Sequence, residues 1–238
     1  PILFDDGQIE GVIRKVKDGE LHVEILHTKE GGGKLRADKG INFPDSNLSI
    51  RGLTTKDRKD LPFVAEHADV VNLSFVNSPQ DVRDLIDELS QLGAANRIGI
   101  ILKIETQAGF DNLVDILLEG MAVYPIGVMI ARGDLAIEAG WDQIGRVQEE
   151  IMSLCQAAHL PDIWATQVLE NLAKKGIPSR AEITDAVMAQ RAECVMLNKG
   201  AYITQAIGLL DSILRSMGPY QEKNAPMLPA MEGAKRRK

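Results

Sequence analysis

Long apolar runs are missing from this chain. Nowhere does it approach the ~18 uncharged apolar residues that a membrane-spanning helix requires, and its opening, PILFDDGQIE, has neither the basic leader nor the apolar stretch of a secretion signal. The expectation is a soluble, cytoplasmic protein with no membrane partner. Cysteine is scarce: Cys155 and Cys194 stand far apart, with no CxxC and no His at metal-ligand spacing. Both read as reduced structural thiols rather than a disulfide framework or a thiolate metal site. His22, His27, His67 and His159 have no metal partner at sequence spacing and read as solvated or capping residues. Positive charge is in deficit, 27 Lys and Arg against 34 Asp and Glu for a net charge of -7, which argues against a nucleic-acid surface. The basic end, AKRRK, reads as a short solvated tail.

What is present is ordinary globular composition over 238 residues, 45% hydrophobic and 26% charged, enough for one large domain or one and a half smaller ones. The chain begins at Pro1 without an initiator Met, and its first residues already read as sheet, so upstream sequence is expected.

Residues 1 to 47 have β character. VIRKVKDGELHVEIL alternates apolar and polar residues on both sides of Asp18-Gly19, a dipeptide suited to a tight hairpin turn. Gly31-Gly32-Gly33-Lys34 lacks the strand, spacing and helix of a P-loop and reads as a flexible hairpin loop. From residue 54 the period changes. VVNLSFV, IGIILKIE, IGVMIARG, DIWATQVL and ECVMLNKG are short apolar runs separated by helical segments, and a repeat of roughly 30 residues is that of βα units forming a parallel sheet. Ser78-Pro79 with Asp81 opens a helix that stops near Gly93, and Ser179-Arg180-Ala181-Glu182 is a capping box. Trp141 and Trp164 read as packing anchors. After Met217, three prolines and little periodicity suggest an extended tail. Five such units are too few to close an eight-stranded barrel of about 250 residues; the alternatives are an open α/β layer or most of a barrel whose first strands lie upstream.

The ends of three consecutive strands carry chemistry. In IGIILKIE, Lys103 and Glu105 share one face while Leu102 and Ile104 share the other. Two charges on a barrel's inner face need a partner such as a metal or an anion. The next strand runs into Arg132-Gly133-Asp134, where a glycine admits a ligand close to the backbone and the following LAIEAGWDQIG can begin a short helix that attracts an anion. Glu105 and Asp134 are hard oxygen donors of the kind magnesium prefers, and Thr166 in ATQ adds a hydroxyl at the same height. Singly, a strand-end KIE is a salt bridge, ARGD a turn and ATQ structural; three at one face point to a site.

These residues carry a resemblance. KIETQAG, GVMIARGDLAIE, WATQVLE and PSRAEITDA follow in order and spacing the barrel motifs of pyruvate kinase, and LTTKDRKDLPF, LSFV, KGINFPD and FDDG extend the match over nearly residues 3 to 200. The chain therefore resembles the pyruvate kinase family. The resemblance implies an α/β fold of the (β/α)8 TIM-barrel type, here the last five βα units, with the end of a small inserted β domain. It divides the chain into that domain's end (1–47), the barrel portion (48–217) and a Pro-rich basic tail (218–238). It implies transfer of a phosphoryl group from phosphoenolpyruvate to ADP, giving pyruvate and ATP, with magnesium. Potassium is also implied, although its usual ligands have no counterpart here.

Position by position, Lys103 resembles the lysine that stabilises the transition state and enolate, and Glu105 and Asp134 the magnesium ligands. Gly133, with the neighbouring Arg132 and Asp134 backbone, resembles the cradle of the substrate carboxylate. Thr166 resembles a substrate-contacting, catalytic threonine, and Lys39 a lysine offered to the nucleotide phosphates. The sequence departs from the family at MLNKGAY, where MLSGETA is usual, and at Asn77, where arginine is common; the first three barrel strands and the regulatory C-terminal domain have no counterpart. Two other functions stay open on the same residues: a magnesium- and metabolite-binding sensor or scaffold without turnover, and a magnesium-enolate aldolase or lyase. A homo-oligomer, or association with the remaining barrel segment, is expected from the open strand edges.

Overall fold

The protein is described by a computed structural model that covers residues 1–5, 7–37, 39–46 and 52–221. Two sheets organise it. The first is small and antiparallel, with β1 (Ile2–Phe4), β2 (Ile9–Lys17), β3 (Glu20–Thr28) and β4 (Ile41–Asn42) in the order β3-β2-β1-β4. Asp18 and Gly19 join β2 to β3 with φ of 52° and 79°, the left-handed conformation that a tight hairpin turn demands. Ile2, Phe4 and Ile9 form this sheet's buried hydrophobic cluster among the described residues, whereas Val16, Leu21, Ile25 and Leu26 on the hairpin stay exposed. The glycine run is not a hairpin loop, contrary to the expectation from sequence. β4 pairs with β1 and not with β3, so β3 and β4 lie at opposite edges of the sheet.

The second sheet is parallel, with β5 (Val70–Leu73), β6 (Gly99–Ile104), β7 (Ile126–Ala131), β8 (Asp162–Val168) and β9 (Cys194–Leu197) neighbouring one another in sequence order. Helix α1 (Thr55–His67) leads in, and α2 (Pro79–Gln91), α3 (Gln107–Asp111), α4 (Leu113–Gly120), α5 (Arg132–Ala139), α6 (Ile144–Ala158), α7 (Glu170–Lys175) and α8 (Arg180–Met188) fill the crossovers before α9 (Ile203–Gln221). This is the βα winding that the repeat predicts. Among the described residues the sheet is open, with β5 and β9 as its edges, and no closed barrel is formed. Leu102, Ile104, Val128, Ile130 and Trp164 are completely buried in one cluster with helix residues such as Leu85, Leu113, Ile116 and Ile151. Burying five such side chains contributes roughly 1.5–3 kcal/mol each, which fixes the register of the strands.

The helix signals act as read. Ser78 and Asp81 form a capping box with Pro79 in the first turn, and Gly93, with φ of 65°, follows the end of α2. Ser179 and Glu182 form a second box, and the Glu182 carboxylate also accepts the Asn171 amide, tying α7 to α8.

Four local expectations are corrected. Helix α5 begins at Arg132, so the charged tripeptide is its first turn and not a turn before it; Asp134 there meets the positive end of the helix dipole. Helix α9 runs through Gly218 to Gln221, where an extended tail was expected, and residues 222–238 lie outside the described residues. Trp164 is buried as expected, but Trp141 is 71% exposed, just beyond Gly140, which ends α5 with φ of 91°. Cys155 is buried and free, whereas Cys194 is free but exposed on the edge strand β9. Among the described residues no helix is long and apolar enough to cross a membrane.

Candidate active site

Strand register brings the three charged ends to within a residue of one another. Ile104 pairs with Ile130 and Ile130 with Trp164, so residue 105 comes level with Ala131 and Ala165, and Arg132 and Thr166 follow one residue further on. Since Leu102 and Ile104 face the helices, Lys103 and Glu105 face the other way. They pair at 2.9 Å, with the lysine side chain 23% exposed and the glutamate 4%. Lys103 Nζ also donates to Ser74 Oγ at 2.9 Å, and Glu105 Oε2 accepts the Phe75 amide at 2.6 Å. A buried charge costs several kcal/mol unless it is paired and hydrogen-bonded, and here β6 and the end of β5 supply both conditions.

Asp134 stands in the first turn of α5. Burial raises its carboxyl above the ordinary value, the charge of Glu105 raises it further, and Asn42 and Lys103 partly offset them. Glu138, one turn on, is also raised by burial and by Asp134. Asn42, from β4 of the small sheet, donates its Nδ2 to Glu138 Oε1 at 3.0 Å. Its own Oδ1 is buried without a hydrogen-bond partner among the described residues, a state that costs about 1–3 kcal/mol.

On the other side, Thr166 Oγ1 accepts the Gly133 amide at 2.8 Å, closing the strand end of β8 over the start of α5. The backbone here is strained: Thr166, Gln167 and Leu169 have φ of 67°, 57° and 47°, and Phe75, at the end of β5, has 51°. Each such residue costs of order 1–3 kcal/mol, and strain of this kind gathers at functional sites. Gly133 is not required by packing, since a Cβ there would meet nothing nearer than Thr166 Oγ1 at 3.6 Å.

Arg132 and Lys39 have side-chain partners of their own. The Arg132 guanidinium lies against the Trp164 ring at 4.4 Å, pairs with both oxygens of Asp185, and donates to the Ala165 and Thr166 carbonyls at 3.0 and 2.6 Å. Those contacts hold the strand end together and leave only the Arg132 backbone toward the mouth. Lys39 lies just before β4, pairs with Asp5 at 2.7 Å, and lines a cavity of about 370 Å³ with Lys29, Lys34 and Arg36. Sequence reasoning missed Asn42, Ser74, Phe75 and Asp185. LSFV and KGINFPD were in view, but their contacts join elements about 30 to 100 residues apart, and nothing local in the sequence announces such pairs.

The donor set fits a hard divalent cation. Two carboxylates from adjacent strand ends share a site in which one raises the other's pKa, so added positive charge relieves the repulsion. Among the described residues no cluster of three or more His, Cys, Asp or Glu forms a fuller metal cage. A site of two carboxylates completed by water and substrate oxygens is what magnesium uses.

An open parallel βα sheet with charged groups gathered at the carboxyl ends of its strands defines an α/β protein, and in such folds that end is where ligands bind. The family described as "Pyruvate kinase, barrel domain" matches residues 1–207, and the chain belongs to the pyruvate kinase family. It is 37% identical to pyruvate kinase of Agrobacterium vitis over 238 residues, 97% of this chain and 46% of that protein. It is 36% identical to pyruvate kinase of Hypocrea jecorina, covering 87% of this chain and 38% of that one, and 34% identical to Pyruvate kinase PKLR of Rattus norvegicus, covering 90% and 37%. The chain thus spans less than half the length of these relatives.

Proposed function

We propose that this chain carries the carboxyl-end wall of a pyruvate-kinase-type active site, which moves the phosphoryl group of phosphoenolpyruvate to ADP. The observation that supports it is the convergence of Lys103, Glu105, Asp134 and the Gly133–Thr166 pair at one end of the sheet. In the reaction the bond between phosphorus and the enol oxygen breaks, a bond from phosphorus to a terminal oxygen of ADP forms, and the enolate takes a proton at carbon to give pyruvate. Little covalent chemistry is asked of the protein, so positioning and charge stabilisation carry the rate.

Lys103 is the cation beside the transferring phosphoryl and the departing oxygen, and its bonds to Glu105 and Ser74 hold it there without reorganisation. Glu105 and Asp134 would hold magnesium. When bound, magnesium supplies positive charge to the phosphoryl and substrate oxygens. Thr166 accepts from Gly133, and a hydroxyl that accepts still has its own hydrogen to donate; we assign that hydrogen to the substrate. The bare Cα of Gly133 and the backbone of Arg132 and Asp134 form the carboxylate cradle, the space beside Gly133 being unused by the protein itself. Lys39 is assigned to the nucleotide phosphates on the cation-lined cavity it shares with Lys29, Lys34 and Arg36. No residue here is assigned to potassium. We further propose the division into an inserted β domain to residue 47 and a barrel portion from 48, a cytoplasmic location, and association through the free edges of β5 and β9.

The test is pyruvate formation from phosphoenolpyruvate and ADP by the full-length natural chain, with and without magnesium. Magnesium-dependent turnover is expected. Magnesium-dependent oxalate binding without turnover would replace the enzyme by a sensor, and enolate chemistry without phosphoryl transfer would replace it by a lyase.

A further inference from the structure

The cavity beside Lys39 gathers more positive charge than its one ion pair consumes. Four cations line it, Lys29, Lys34, Arg36 and Lys39, against a single acid, Asp5, in a chain whose net charge is -7. Lys39 is the one already engaged, since its Nζ donates to Asp5 Oδ1 at 2.7 Å. The side chains of Lys29, Lys34 and Arg36 form no ion pair among the described residues. The backbone that carries them is anchored at both ends. Near its start the Gly32 amide donates to the Lys29 carbonyl at 3.0 Å, and a Cβ on Gly33 would come within 2.7 Å of Ile9 Cγ1, so a bare glycine lets the chain lie directly on the buried cluster of the small sheet. At its far end the Asp5 amide donates to the Gly40 carbonyl at 3.0 Å, so Asp5 holds Gly40 with its backbone and Lys39 with its side chain. A concave surface lined by charge of one sign concentrates the counter-ion that relieves the repulsion.

We propose that this cavity is a polyphosphate-binding site in which Lys29, Lys34 and Arg36 supply the unpaired charge that meets the ligand, with Lys39 held beside them by Asp5. The proposal rests on the reading of Lys39 as a lysine of the nucleotide phosphates and adds three residues to it. Neighbouring phosphates carry several negative charges close together, which suits several separate cations better than one. The Arg36 guanidinium can take two oxygens of one phosphate at once, whereas Lys29 and Lys34 act as point charges. A nucleoside diphosphate and free pyrophosphate share this chemistry, and the adenosine part of ADP separates them.

The experiment titrates ADP and pyrophosphate into the full-length protein by calorimetry, in magnesium-free buffer so that the carboxylates at the sheet end contribute no bound cation. The two ligands should compete for one site. Lys34→Ala and Arg36→Ala should each weaken both ligands about fivefold, and the double variant about 20-fold, with affinity falling further as salt is added. Lys15→Ala removes the same charge from β2 outside the cavity and should leave both affinities within twofold of wild type. All these side chains are exposed, so the variants should keep the fold. If Lys39→Ala weakens ADP while the Lys34→Ala/Arg36→Ala variant stays within twofold for both ligands, the enlarged site is overturned and the reading of Lys39 stands. If the double variant weakens pyrophosphate while neither it nor Lys39→Ala alters ADP, the polyphosphate site stands and its assignment to the nucleotide falls. A loss at Lys15→Ala as large as at Lys34→Ala would show overall charge at work and overturn the site.

Discussion

The two ends of the parallel sheet each hold an acid whose carboxyl is raised above its ordinary value, and the acids keep different company. At the carboxyl end Asp134 is raised by burial and by Glu105, and Asn42 and the charge of Lys103 partly offset that rise. At the amino end Asp162, 4% exposed, is raised to about 7 by burial and by Glu193, with Arg191 only partly offsetting them. Arg191 is spent on Glu149 through two bonds of 2.6 Å, and Glu193 accepts the backbone amide of Asp162, so Asp162 Oδ1 is left without a partner among the described residues. The neighbouring Cys155 thiol is pushed up by burial and by the same acids, which makes it unreactive. Burial alone therefore marks neither end as a site. What distinguishes the carboxyl end is convergence of a cation, a second carboxylate and a hydroxyl, on the face where barrel enzymes carry chemistry while the opposite face serves stability.

That contrast can be broken or sharpened by substitution. Glu105→Gln and Asp134→Asn should each lower magnesium-dependent turnover by about 10³-fold or more while leaving the fold intact, read by steady-state kinetics beside circular dichroism. Thr166→Val removes one hydroxyl donor and should cost about 10²-fold in kcat, whereas Thr166→Ser should recover most of it. Arg132→Lys tests a side chain that the structure turns away from the mouth. It loses the forked pairing with Asp185 and the stacking on Trp164, so urea unfolding should show a loss of roughly 2–4 kcal/mol, and a variant with unaltered stability but a weakened substrate carboxylate site would reverse the assignment.

The smallest effect belongs to the amino end. Asp162 has a folded pKa above its unfolded value of about 3.9, so folding takes up a proton between the two. Its contribution to stability is full below pH 4 and is lost as pH rises through about 7. Asp162→Asn should flatten that slope and stabilise the protein at pH 8 by about 1–3 kcal/mol, with turnover unchanged. A pH dependence of unfolding that survives the substitution would show that another group carries it.

How much of this was readable in the sequence follows from which interactions are local. Period-two alternation assigns Lys103 and Glu105 to one face, and the capping boxes at Ser78 and Ser179 set helix starts within a residue or two. Pairings between distant elements are not periodic. The bond from Asn42 to Glu138 spans 96 positions, and no neighbouring residue hints that β4 packs on α5. The glycine run looked like a hairpin because turn chemistry reports only the next few residues, while the order of strands in the sheet decides which of them a loop joins. Arg132-Gly133-Asp134 alone reads as a turn ahead of a helix, whereas in the structure it is the first turn of α5, where the Thr166 hydroxyl takes the Gly133 amide, one of the first-turn donors that every helix leaves open.

The most direct measurement compares the full-length wild type with Lys103→Met in two assays, pyruvate formation from phosphoenolpyruvate and ADP, and magnesium-dependent binding of oxalate. Lys103 is placed as the cation of the transition state, so the variant should lose about 10³-fold or more in kcat while oxalate binding stays within a few-fold of wild type. Turnover that is indifferent to Lys103 would contradict the account.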